Sequence, residues 1–235
     1  KTTQEVIIIE EEGVLKIMTD DGFSPENLFC AENETVVTNL ERGLRSNRLF
    51  PIIKKYGAWF VPLTRVPFVP YNSLRSKFLK FKDRELHVLD SKIFPDGFKI
   101  PKFYLGKPII HLPTMKTHGH TGAKGGSLKK TGEDQKNGGI TCSMKNAFGG
   151  LLTKRRHFSH QFMSEVLVDL LIIQKQLHPE IMAVVDGTVC GDGAGPRTMI
   201  PRIKNYLLAG YDQVAVDTVV AKMLGFEPMK LPAIK

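Results

Sequence analysis

Apolar positions fall in short, loosely patterned blocks along the first half of the chain and in longer, better-defined blocks along the second. Within residues 1–18, "EVIIIE" and "VLKIM" read as a strand or hairpin turning at Glu12-Gly13. "SPENLF" resembles a short helical start, and "ETVVTNLERGLRSNRLFPIIKKYG" repeats its apolar residues at near-helical spacing up to Gly57. "AWFVPL" reads as a strand. From Pro67 to Pro101 prolines and aromatics break the pattern, and "ELHVLD" is the one strand that stands out.

The second half is clearer. "KPIIHL" is a compact β-branched run bounded by prolines, hence a short buried strand. "TCSMKNAFGG" predicts one or two helical turns stopped at Gly149-Gly150, and Ser159 is placed to cap a long helix, "HQFMSEVLVDLLIIQKQL", ending at His178-Pro179. On that helix Glu165 and Asp169 form a polar strip and the apolar stripe is core. "IMAVVDG" and "YLLAG" read as strands, and Asp212 caps "QVAVDTVVAKMLG", which stops at Gly225. Strands alternating with helices predict an α/β fold with a mostly parallel sheet and crossover helices. The expected division is a less regular N-terminal portion, 1–106, and a core, 107–235, with a mobile basic, glycine-rich flap over 119–139.

A chain of 235 residues can bury a sizeable core, and no apolar run approaches the roughly 20 residues that span a bilayer. The three cysteines, Cys30, Cys142 and Cys190, are far apart and lack any C-x-x-C spacing. That argues against a disulfide framework and for a reducing, cytoplasmic setting. The net charge of +9 is concentrated: residues 116–157 hold nine Lys or Arg against Glu133 and Asp134, and five of the seven histidines lie between 111 and 160. A solvated loop, a nucleic-acid surface, a docking face for an acidic partner and an anion site all fit such a run. Aromatics do not interleave with the charge as a base-stacking platform requires, which makes nucleic acid the weaker reading.

In open α/β sheets ligands sit beyond the carboxyl ends of strands. "PIIHL" runs into Lys116 and His118, "MAVVDG" into Asp186 and "YLLAG" into Asp212, so parallel strands would gather these groups at one rim. Lys116 and His118, two apart, share a side of an extended segment and suit anion binding and proton transfer. Lys145 and Asn146 open a short helix whose free N–H groups favour an anion. The glycines of "DGTVCGDGAGPR", Gly193 and Gly195 among them, let backbone approach a ligand closely, and Arg197 offers an anion clamp. Lys116, His118 and Asp186 are the candidate catalytic groups; Lys145, Asn146, Gly193, Gly195, Arg197 and Asp212 are the candidate ligand contacts. For a metal, the donors to consider are His118, His120, His157, His160, Asp186, Cys142 and Cys190, with no ligand set fixed by spacing. Asp217, among valines on a helix, must be paired, hydrogen-bonded or shifted in pKa.

Taken together, "LPTMKTH", "TCSMKNAFGGL", "VVDGTVCGDGAGP" and "LLAGYDQVAVDTVVAKMLG" resemble the family catalogued as domain of unknown function 362, over about residues 108–228. The resemblance rests on Lys116, Thr117, His118, Thr141, Lys145, Asn146, Phe148, Gly149, His157 or His160, Asp186, Gly187, Gly193, Gly195, Pro196, Asp212, Ala215 and Asp217 in this order. Ferredoxin-like cysteine motifs accompany this family, so the resemblance implies iron–sulfur-linked redox chemistry, possible oxidoreductase activity and a ferredoxin-like partner. A cluster would lie on a partner, on sequence outside this chain, or on the three scattered cysteines. The resulting expectation is a protein that binds an anionic small molecule or cofactor in redox metabolism, with nucleic-acid binding or partner docking through 116–157 as rivals.

Overall fold

The structure, a computed structural model, describes residues 3–34, 39–71, 86–119, 121, 138–151, 154–193, 195 and 199–235. Side chains are described from Glu11 onward, except those of Lys154 and Arg155. The chain separates into two compact units at Pro67–Phe68, well before the boundary expected at residue 106.

In the first unit, Thr3–Asp20 is an α-helix, α1, and not the expected hairpin. Tertiary contacts override the β-branched composition. Leu15 is buried in a cluster with Leu28 and Ile52, and Glu12 pairs with Lys55 and Tyr56. The long helical pattern is divided between α2 (Leu40–Ser46), whose first turn Asn39 caps by accepting from the Arg42 N–H, and α3 (Leu49–Lys55). Arg48, in the left-handed region at φ 55°, makes the break. Strand β1 (Phe29–Glu32) runs parallel to β2 (Trp59–Pro62), the latter within the predicted "AWFVPL".

In the second unit, β3 (Phe68–Pro70) pairs antiparallel with β4 (Lys99–Pro101). "ELHVLD" is not a strand. The buried carboxylate of Asp169 accepts hydrogen bonds from the successive N–H groups of His87, Val88 and Leu89 at 2.6, 2.9 and 2.9 Å, and the segment coils into a π-helical turn at Leu89–Ile93. Asp169 therefore leaves the expected polar strip and becomes an internal anchor. Tyr71, fully buried, donates to Gln176. These contacts tie Tyr71 and the His87–Leu89 segment to the helix that holds Asp169 and Gln176, within the same unit.

The main sheet holds β5 (Ile109–His111), β6 (Thr114–His118), β7 (Gly139–Thr141), β8 (Ile181–Asp192) and β9 (Ile200–Gly210), in the order β5-β8-β6-β7 with β9 also on β8. It gives the α/β fold read from the sequence. β5 and β6 run parallel to successive segments of β8, while β7 and β9 add antiparallel pairings. The connection from β6 to β8 passes through β7 and two helices, α4 (Ser143–Leu151) and α5 (Met163–Leu177). α4 continues through Gly149-Gly150 instead of stopping there, and α5 starts at Met163, after a 3-10 segment at Lys154–Phe162, not at a Ser159 cap.

Helix α6 (Gln213–Met223) starts as predicted: Asp212 accepts from the Val214 and Ala215 N–H groups at 2.9 and 3.0 Å. Gly225, at φ +84°, follows its end. Val216, Val220 and Ala221 of α6 pack with Met115, Ile140, Cys142, Ala183, Val185 and Cys190 into one core. Among the described residues no helix is long and apolar enough to cross a membrane.

Candidate anion-binding site

The stretch expected to be a loop beyond a strand, "MKTH", is itself strand β6, and Asp186 lies in the middle of β8 instead of at its end. Strand alternation still brings the two together on one face. Met115 and Val185 belong to the core, and a Cβ on Gly187 would meet the Met115 methyl at 3.1 Å. Their neighbours Lys116 and Asp186 therefore face the opposite way, as does His118. A Cβ on Gly191 would fall 2.4 Å from Met199 Sδ and 3.1 Å from the Lys116 Cβ, so Gly191 lies on the same side as the lysine stem and packs closely there. Asp186 is 1% exposed. Its Oδ1 accepts from the Thr188 N–H at 2.9 Å and hydroxyl at 2.6 Å, while Oδ2 is buried with no hydrogen-bond partner. His118 is 2% exposed, and its carbonyl accepts from the Thr121 hydroxyl.

The rim expected to join these groups to Asp212 does not form. β9 is antiparallel to β8, so Gly210 pairs with Ala183 and the chain delivers Asp212 to the amino end of β8. The expected anion site on the first N–H groups of α4 is likewise occupied from within. Asp217 of α6, 3% exposed, accepts from the N–H groups of Ser143 at 2.7 Å and Met144 at 3.1 Å. Burial raises its carboxyl pKa to about 7, opposed by those two N–H groups and by Cys142. The helix terminus thus carries its own anion.

Lys145, one residue on, is different. It is half-buried and its ammonium lies over the Phe148 ring, 4.8 Å from the centroid. Burial lowers its pKa to about 8, and the positive charges of Lys116 and Arg156 push in the same direction. Lys16 and Lys55, paired with Asp20 and Glu12, shift upward instead. Lys116 of β6 and Arg156 of the 3-10 segment are therefore both near enough to act on the Lys145 charge. Arg156 is 2% exposed and Ser159 fully buried, three residues apart as the 3-10 repeat requires. In the same segment His160 packs edge-on against Phe148 at 5.6 Å and stacks on His157 at 5.7 Å. Its Nδ1–H donates to the His157 carbonyl at 2.7 Å.

Asn146 is held by His111, a residue the sequence did not single out. The Asn146 amide donates to His111 Nδ1 at 3.0 Å, and His111 Nε2–H donates to Gln174 Oε1 at 2.5 Å. One ring nitrogen accepts and the other donates, so the neutral imidazole is locked in one tautomer. Burial depresses its pKa to about 4.

Gly193 and Gly195 serve the fold. Gly193 sits at φ +90° and its carbonyl accepts from the Thr117 hydroxyl at 2.8 Å, while a Cβ on Gly195 would fall 2.0 Å from the Thr117 carbonyl oxygen. The close approach predicted for a ligand is made to β6. His120, Arg197 and nearly all of the 119–139 flap lie outside the described residues.

Among the described residues, no three His, Cys, Asp or Glu side chains converge as a metal site. The cysteines do not fit an iron–sulfur cluster either. Cys142 and Cys190 are core residues, with the Cys190 thiol against Met115 Sδ and the Gly187 carbonyl. Burial and the nearby Glu11 push the Cys30 thiol up to about 12, away from the thiolate a cluster needs.

No curated protein and no solved structure matches the chain. Residues 135–222 hold β7, α4, α5, β8, β9 and nearly all of α6. This stretch matches the family model described as Domain of unknown function (DUF362), the family that the pattern of Thr141, Lys145, Asn146, Phe148, Asp186, Asp212 and Asp217 resembles.

Proposed function

We propose that residues 68–235 bind an anionic small molecule or cofactor at the cationic cluster of Lys116, Lys145 and Arg156. The observation that carries this is the environment of Lys145, whose ammonium is desolvated and repelled by two further cations. Cations from two other segments act on the Lys145 ammonium, and perturbed groups of this kind concentrate where a ligand of opposite charge is received. Asp186, on the same sheet face as Lys116, supplies a buried carboxylate oxygen for a ligand hydroxyl or other donor. The setting is iron–sulfur-linked redox metabolism, with the cluster carried by a partner; its support is the family resemblance and the unsuited thiols of this chain. The free cysteines agree with a reducing, cytoplasmic compartment.

The test is isothermal titration of the full chain with pyrophosphate at fixed ionic strength. Saturable one-to-one binding that Lys145→Ala weakens at least tenfold, about 1.4 kcal/mol, supports the reading. Binding that is unsaturable, or equal in wild type and variant, overturns it.

A further inference from the structure

The sheet face that carries Asp186 holds a second polar atom of the same kind. Ile140 and Cys142 of β7 belong to the core, so Thr141 between them faces the other way, in register with Lys116. Thr141 Oγ1, like Asp186 Oδ2, is buried with no hydrogen-bond partner among the described residues. A buried polar atom left unpaired is costly, most of all a carboxylate oxygen. The two bonds from Thr188 hold the carboxylate by Oδ1 and fix the direction of Oδ2. A break in register between Gly187 and Val189 sits at this threonine, as irregularities that re-aim side chains do. Asp186 is also close to the surface. Its register partners on the same face are Thr114 of β6, half-buried, and Leu207 of β9, 69% exposed.

The two atoms ask for different partners. An ionised carboxylate only accepts, whereas a threonine hydroxyl also donates. Thr141 is level with Lys116 and Asp186 with Thr114, so two strand spacings and two residues separate them, about 12 Å between Cα atoms. The two side chains shorten that gap toward the length of an extended sugar. Lys145 follows Thr141 by four residues and feels the charge of Lys116, which puts positive charge at the Thr141 end. We infer that the ligand is a hydroxylated anion, a sugar phosphate or sugar acid, whose negative group accepts from Thr141 while a distant hydroxyl donates to Asp186 Oδ2. This rests on the anion-binding reading above. No ligand contact is required of Lys116, which has contacts of its own.

The experiment titrates the full chain with two matched pairs, ribitol 5-phosphate against pentyl phosphate and ribonate against pentanoate, with pyrophosphate as the reference anion. Within each pair the charged group and the carbon chain are kept and the hydroxyls are removed. Expected is binding at least tenfold tighter for the hydroxylated member of one pair or both, the scale of a hydrogen bond to a charged group; the pair that shows it identifies the acid. In Asp186→Ala that preference should shrink to about threefold or less. The side-chain carboxyl carbon-13 signal of Asp186, read in the wild type, should move with the hydroxylated ligand and not with its counterpart, whether or not the variant folds. Equal binding within both pairs overturns the inference, as would follow if water alone occupied the carboxylate. So does a preference that survives Asp186→Ala. Failure of all four compounds while pyrophosphate binds overturns it too and leaves the anion site standing. Failure of pyrophosphate as well removes both readings.

Discussion

The carboxylate of Asp217, on α6, accepts a 2.7 Å hydrogen bond from the backbone N–H of Ser143, the first residue of α4. With the second bond, from Met144, it closes the helix end just ahead of Lys145 and fixes where the lysine's turn begins. Its pKa is raised from the ordinary 3.8 to about 7, so between these values the folded chain binds the extra proton. Stability from this group is therefore greatest in acid and falls as pH rises from about 4 to about 7. Buried His111, lowered from 6.5 to about 4, acts in the opposite direction over a similar window. The two slopes partly cancel in the wild type. Urea unfolding across pH 4–8 should show Asp217→Asn gaining stability toward neutral pH relative to wild type. His111→Asn should leave a steeper loss. The difference between the variants' end-to-end changes should exceed about 1 kcal/mol, given 1.36 kcal/mol per unit of pKa shift. Parallel profiles in all three proteins would show that neither group titrates as described.

Asp169 gathers three backbone N–H groups in a site with no solvent exposure. Asp169→Ala leaves those donors buried and unpaired, at about 1–3 kcal/mol each before relaxation. The variant should lose about 3 kcal/mol or more in chemical denaturation. Hydrogen exchange at His87, Val88 and Leu89 should accelerate. A loss under about 1 kcal/mol, the scale of an ordinary surface substitution, would contradict the anchor role.

Gly195→Ala places a methyl carbon 2.0 Å from the Thr117 carbonyl oxygen, and backbone must move to admit it. The expected cost is about 2 kcal/mol or more, read as a lower thermal midpoint. Gly43→Ala, at a helical glycine with nothing within 4 Å, is the control and should be neutral or slightly stabilising. Equal effects of the two substitutions would mean that the turn at Gly193–Gly195 does not press on β6.

The α/β class, the strand within "AWFVPL", the strand at Ile109–His111, the Asp212 cap and the end of α6 near Gly225 were legible in the sequence, because each depends on local pattern and capping chemistry. What failed depends on distant partners. "EVIIIEEEGVLKIM" has strand-like composition, yet α1 is fixed by Leu28, Ile52 and Lys55, whose positions no local window contains. "ELHVLD" was misread for the same reason, since its conformation is set by Asp169, about eighty residues away. Lys116 and Asp186 share a sheet face, but not as strand ends: Lys116 lies within β6 opposite Gly191, and β8 continues past Asp186. Arg156 escaped notice because only the turn of the 3-10 segment distinguishes it within "KRRH". Lys145 and Asn146 looked like a pair opening a helix, whereas Asp217 takes the helix end and Asn146 turns to His111.

If an anion binds beside Lys145 as proposed, it must act on the same ammonium that Lys116 and Arg156 already perturb. The most direct measurement is an NMR pH titration of the Lys145 ε-methylene in the full chain, alone, with saturating pyrophosphate, and in Lys116→Gln. The account predicts a midpoint near pH 8 in the free protein, a rise when pyrophosphate binds, and a rise when the Lys116 charge is removed. A midpoint at the ordinary lysine value of 10.5, unmoved by pyrophosphate or by Lys116→Gln, would contradict it.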